Sequence, residues 1–218
     1  MKKPIQLYLI AMLLTSIFSL TARAQETADR ILPRVGIKGG LNYSNFFIND
    51  IDDKNALLGF NAGLFAKCPI TRFIAIQPEL YYTTKGSEVT YNNVFAAGAA
   101  RFRLSYIEVP VLLVINLNEN FNIHGGPYVS YLLDGRVSNQ SSAEIFDFER
   151  NINTDNYNRM DAGVAIGAAI DIRKISIGAR YNYGMTTIGK ESTFAGTSYT
   201  FPNAKNSVFN IYLGLSLN

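Results

Sequence analysis

Past Pro33 the chain alternates apolar and polar residues with a period of two, the strand signature, in eight segments. These run Val35–Phe46, Leu57–Cys68, Arg72–Lys85, Arg103–Ile115, Phe121–Asp134, Tyr157–Ile172, Ile175–Ile188 and Val208–Leu217. The seventh shows the pattern well: Ile175, Ile177, Ala179, Tyr181 and Tyr183 fall on one face, and Ser176, Gly178, Arg180, Asn182 and Gly184 on the other. No helical period competes with this pattern anywhere after the N-terminal stretch. Links between segments alternate in length. Pro69–Thr71, Asn116–Asn120 and Arg173–Lys174 are short, whereas Phe47–Ala56, Gly86–Phe102, Gly135–Asn156 and Gly189–Asn206 are long and polar. With eight strands, all short turns and both chain ends then lie on one side, and all long loops on the other. That asymmetry is the mark of an antiparallel up-and-down barrel in an outer membrane.

Alternation alone also fits a soluble barrel with an apolar interior, so the chemistry of the second face has to decide. A soluble barrel presents water with Lys and Glu. Here the polar face is mostly Gly, Ser, Asn and Tyr with a few charges of both signs, which suits a narrow lumen filled by side chains. The opposite face is almost purely aliphatic and aromatic, as hydrocarbon requires. Closure would pair every backbone amide, which lipid demands because it supplies no hydrogen-bond partner. The expected fold is therefore all-β, an eight-stranded antiparallel up-and-down transmembrane β-barrel. The 13 Tyr and 14 Phe with no Trp are consistent with aromatic girdles, for which Tyr43, Tyr82, Tyr131 and Tyr183 are candidates.

The N-terminus adds a compartment. Met1-Lys2-Lys3, an apolar run from Ile5 to Leu20 and Ala22-Arg23-Ala24 before Gln25 have the layout of a secretory signal peptide. The expected organisation is a signal peptide over 1–24 and a barrel domain over 25–218. The apolar run falls short of the ~20 residues a spanning helix needs. Lys2, Lys3 and Arg23 account for the formal charge of +3. The mature chain is thus near neutral and gives no footing for nucleic-acid binding. Cys68 is the only cysteine, so no intramolecular disulfide can form, and a small apolar strand residue is the favoured reading.

A set of motifs carries a family likeness. Val35-Gly36-Ile37-Lys38-Gly39-Gly40-Leu41-Asn42, Gln77-Pro78-Glu79-Leu80-Tyr81-Tyr82 with Lys85-Gly86, and Tyr106-Ile107-Glu108-Val109-Pro110 are its first members. Gly125-Gly126-Pro127-Tyr128 and Arg180-Tyr181-Asn182-Tyr183-Gly184 complete it. Together they resemble the PorT-like outer-membrane β-barrel family of Gram-negative bacteria. The resemblance implies an eight-stranded outer-membrane barrel and no particular activity; a few relatives are linked to secretion and gliding machinery. The terminal Ser216-Leu217-Asn218 departs from the aromatic ending common in such barrels.

Candidate chemistry is sparse. Glu79 and Glu108 are expected inward on adjacent strands, with Arg180 inward near the same level. Two confined carboxylates repel unless a cation intervenes. Lys38, Glu79, Glu108 and Arg180 are therefore expected to form a lumen charge network that fills and rigidifies the barrel, with a proton or cation path as the alternative. Pro78, Pro110 and Pro127 fall in three successive strands, where bulges or missing ladder bonds are expected because proline cannot donate. His124 is expected near the short-turn end as a satisfied lumen residue, away from any catalytic partner set. Asp50, Asp52 and Asp53 lack the spacing of a calcium loop. No catalytic, metal or cofactor site is expected. The function expected is a non-enzymatic outer-membrane protein: a structural barrel or a scaffold displaying loops to a protein partner, with Gly135–Asn156 the first candidate. A small channel or transporter is the alternative. The surrounding lipid is the other expected partner.

Overall fold

The computed structural model describes residues 32–47, 54–92, 97–141, 148–151, 157–188, 193–194, 197–198 and 205–218. The expected signal peptide over 1–24 and the Asp50, Asp52, Asp53 cluster lie outside these residues. Eleven strands are described: β1 (Arg34–Phe47), β2 (Lys54–Pro69), β3 (Ile74–Asn92), β4 (Ala97–Asn116), β5 (Phe121–Ser141), β6 (Phe148–Asn151), β7 (Met160–Ile172), β8 (Ile175–Gly184), β9 (Thr193–Phe194), β10 (Thr197–Ser198) and β11 (Lys205–Ser216). Eight of them close into a ring, each antiparallel to both neighbours, in the order β1-β2-β3-β4-β5-β7-β8-β11, with β11 returning to β1. The short turns after β2, β4 and β7 share one end with Arg34 and Ser216.

Side chains alternate as the sequence pattern requires. Ile177 and Leu213 are 48% and 60% exposed and point away from the barrel, while Glu79 and Arg180 are 3% and 4% exposed inside it. The outward belt of Ile, Leu, Val, Phe and Tyr covers roughly nine to thirteen residues per strand, the length that crosses a bilayer when strands are tilted. Leu213→Lys, at mid-belt, is therefore expected to destabilise the barrel in lipid vesicles by about 2–4 kcal/mol. Urea unfolding followed by electrophoretic mobility shift would measure it, and an unchanged midpoint would contradict the lipid-facing assignment of β11.

Two expectations about the strands need correction. Gly86–Phe102 is not mostly a loop: pairing continues from Gly86↔Arg103 to Asn92↔Ala97. The stretch has no apolar face, so a search for amphipathic period two overlooks it, although Val, Thr and Tyr favour extended backbone in water as well. In the same way β5 runs to Ser141, and β6 pairs with its far part, from Arg136↔Asn151 to Asn139↔Phe148. Higher up, β6 thus takes the place beside β5 that β7 holds lower down. The second correction concerns the lumen, which is not lined by small and ionic residues alone. Leu104, Leu112, Val114 and Leu132 point inward and are almost fully buried. A sealed lumen is protein interior, and apolar packing fills it as well as polar pairing does.

The proline expectation can be read from the ladders. Pairing between β2 and β3 breaks between Phe65↔Glu79 and Cys68↔Ile76. It breaks between Pro78↔Val111 and Tyr81↔Glu108 in β3–β4, and between Pro110↔Tyr128 and Leu113↔Gly125 in β4–β5. Register is unchanged across each break, so these are missing bonds and not bulges. Together they form a diagonal seam through three neighbouring interfaces. Amide exchange of Glu79, Leu80, Val111 and Leu112 is expected to run faster than that of Gly178 and Ala179 in β8. Equal protection in a lipid nanodisc would show the seam to be closed.

Candidate functional site

The lumen holds stacked layers of paired charge, ordered by distance from the short turns. Nearest the turns, Lys67 Nζ lies 2.9 Å from Asp171 Oδ2, and Asn122 Nδ2 donates to the same oxygen at 3.0 Å. The next layer is built on Glu79. Arg180 donates to it through both terminal nitrogens, Nη1 to Oε2 at 2.5 Å and Nη2 to Oε1 at 3.0 Å. Lys38 Nζ and Gln77 Nε2 each reach Oε1 at 2.6 Å. Such forked, charge-assisted contacts fix geometry as well as neutralise charge. The ring of Tyr212 lies under the Lys38 ammonium at 4.4 Å and near the Arg180 guanidinium at 5.3 Å, so its π-face shares in holding both cations.

Glu108 does not join this group. It pairs with Lys85, whose Nζ lies 2.5 Å from Glu108 Oε2 and 3.4 Å from Asp161 Oδ2, under the rings of Tyr128 and Tyr106. Asn182 donates to Glu108 Oε1 at 3.0 Å, while Asn206 and Thr186 donate to the two oxygens of Asp161 at 2.9 and 2.8 Å. The structure therefore brings Lys38, Glu79 and Arg180 together and separates Glu108 from them. The Glu79 layer carries one net positive charge and the Lys85 layer one net negative charge, so the two compensate across the lumen. Lys85 and Asp161 escaped the sequence reading as members of a network. Parity was the available signal, because Lys85 follows Gln77, Glu79, Tyr81 and Thr83 on the inward face.

An amide relay fills the space between the layers. Asn61 and Asn210 donate to Asn42 Oδ1 at 2.7 and 3.0 Å, and Asn42 donates to Thr83 Oγ1 at 2.8 Å. A water-sized polar cavity lies here, lined by Tyr81, Lys85, Glu108, Arg180, Asn182 and these amides, and a larger one lies nearer the short turns beside Lys38, Lys67, Gln77, Asn122, His124 and Asp171. Glycines let the large rings in: a side chain at Gly178 would collide with Tyr212, and one at Gly163 with Tyr128. Towards the long loops, Leu104, Tyr106, Leu132 and Ile188 form an apolar cluster packed by Phe102 and Tyr157.

His124 is buried beside the Glu79 layer. Arg180 Nε donates to its Nε2 at 3.4 Å, which places the ring proton on Nδ1, 3.2 Å from Asn122 Oδ1. Its neighbours are an arginine, an amide and Tyr212, and none of these is a nucleophile activated by the ring. Among the described residues no group of three or more His, Cys, Asp or Glu could hold a metal ion. The arrangement can lock strands together through the lumen; its donors and acceptors are largely committed to one another.

The family described as "Outer membrane protein beta-barrel domain" matches residues 23–189. The chain belongs to that family. It is an outer-membrane protein, embedded in the lipid of that membrane through the belt described above. Several solved outer-membrane barrels are similar to this family member in structure. Ail, the attachment invasion locus protein of Yersinia pestis, is 14% identical, with 86% of this chain and 100% of that one covered and a TM-score of 0.46. Neisserial surface protein A is 13% identical over 84% and 97% of the two chains, at 0.47. The outer membrane enzyme PagL is 10% identical over 84% and 99%, at 0.33. Among curated protein sequences, none matches the chain.

Proposed function

We propose that this outer-membrane barrel is a non-enzymatic scaffold that displays its long-loop end to another protein, after export directed by residues 1–24. The short turns then face the periplasm and the long loops the outside. The observation that carries this reading is the unequal height of the wall. β3, β4 and β5 have 19, 20 and 21 residues, whereas β7, β8 and β11 have 13, 10 and 12. Six to eleven extra residues at ~3.3 Å each raise one side of the barrel well clear of the belt. There β6 extends it sideways as a fourth strand. A sheet raised above a rigid barrel is a platform for recognition, and among the described residues β6 pairs on one side only, which leaves an edge that can accept another extended segment. The PorT-like motifs favour a partner in secretion machinery.

Photo-crosslinking in intact cells, from single positions within Gly135–Ser141 and Phe148–Asn151, tests the proposal. A discrete adduct from the raised sheet is expected, together with none from the outward lipid-facing positions of β11. Crosslinks to lipid alone at every position would sink it. The second reading, a small channel, is disfavoured by the layers of paired charge and the apolar cluster that occupy the lumen. Current steps in a planar bilayer at neutral pH would favour the channel.

A further inference from the structure

At the short-turn end, the lumen opens through the cavity beside Lys38, Lys67 and Asp171. Arg34, Arg173 and Lys174 line its mouth, so five cations surround it against one acid. Asp171 is already engaged by Lys67 at 2.9 Å and by Asn122 at 3.0 Å. Behind the floor, the Glu79 layer to which Lys38 belongs is itself net positive. Asp171 leaves an excess of four positive charges around the cavity. Glu119, a carboxylate at Asn218 and the net charge of residues 25–31, with Glu26 and Asp29 against Arg30, offset at most three of these, and Arg72 restores one. The mouth therefore stays positive however those groups are arranged.

Two local features show that this charge is held at a cost. Arg34 and Lys67 lie directly opposite one another across β1 and β2, and both line the cavity. Like charges so placed weaken a sheet. Arg173 takes a φ of 55° at the first position of the two-residue turn between β7 and β8, where glycine would sit without strain. Strain of this kind persists where the side chain has a use. The inner part of the cavity has room for about one or two waters, so a ligand enters with a single head group and keeps the rest outside. Membrane lipid lies outside the ring of strands that encloses the cavity. Forked guanidinium donors and a surplus of two or more charges match a phosphate dianion better than a carboxylate.

We propose that this mouth is a receptor for the phosphate group of a soluble anion, held by Arg34 and Arg173 with Lys67 and Lys174 beside them. That the solute is periplasmic rests on the orientation given above; the binding itself does not, and neither depends on a protein partner at the raised sheet. Calorimetric titration of the full-length barrel with inorganic phosphate tests it, in a maltoside detergent that carries no phosphate and at an ionic strength fixed with chloride. Saturable binding is expected, and R34Q/R173Q is expected to bind about tenfold more weakly. R34K/R173K, which keeps the charge and loses the fork, is expected to fall between them. Phosphate should also raise the urea midpoint of the unsubstituted protein and leave that of R34Q/R173Q unmoved. R173G separates binding from folding: it should unfold at a higher urea concentration, because the turn is relieved, and yet bind phosphate about threefold more weakly. Equal affinity in R34Q/R173Q would overturn the proposal. So would acetate binding as tightly as phosphate, which would mean simple charge attraction, or phosphatidylglycerol binding more tightly, which would make the source a lipid. If R34Q/R173Q does not fold, R173G decides alone, and an unchanged affinity in it overturns the receptor.

Discussion

Replacing Arg180 by Leu is expected to destabilise the barrel by about 3 kcal/mol, the lower part of the range for breaking a buried ion pair from one side. The lower part applies because Glu79 would keep Lys38 and Gln77. What disappears is the forked contact that joins β8 to β3 across the lumen, together with the donor to His124. Leucine also places an apolar surface beside a buried carboxylate that loses its forked partner. Urea unfolding in vesicles, for R180L, E79Q and the double variant, measures both the loss and its origin. The two single effects should exceed the double effect when added, because each removes the same contact. Additive losses would mean that Arg180 stabilises by packing and not by pairing with Glu79. An unchanged unfolding midpoint in R180L would remove the structural role of the layer altogether.

Much of this was legible from side-chain parity. Period two placed Ile177 and Leu213 outward and Glu79, Arg180 and Lys38 inward, because in a two-faced strand a single register assigns every position. The prolines announced their broken ladders for a similar reason, since a missing N–H has a local consequence wherever the residue lands. Which charges meet was less accessible. Glu108 was expected to share Arg180, but the stagger between strands brings Lys85 to it, and stagger is set by closure of the whole ring. The raised sheet was illegible on different grounds. Gly86–Phe102 and the end of β5 mix Gly, Ser, Thr, Asn and Ala on both faces, so their sequence leaves no clean alternation to detect. Arg34 and Lys67 were visible as charges, yet their opposition depends on the register of β1 against β2.

The larger loss is expected at Lys85. Lys85→Met would leave Glu108 and Asp161, both nearly inaccessible, facing each other with only amide and hydroxyl donors. Two buried carboxylates facing each other without a cation between them repel strongly. About 4–5 kcal/mol is the expected cost, at the upper end for an orphaned buried charge. Methionine nearly matches the lysine stem in volume, so little of that cost comes from a cavity. The rescue is specific: K85M/E108Q should recover a substantial part of the loss, because glutamine removes one of the two charges and still accepts from Asn182. The same variants separate the two readings of the lumen. A barrel held shut by its charge layers should unfold more easily in K85M and leak ions only as it loosens. A barrel that conducts through Glu108 and Asp161 should instead change conductance in K85M with its unfolding midpoint unmoved.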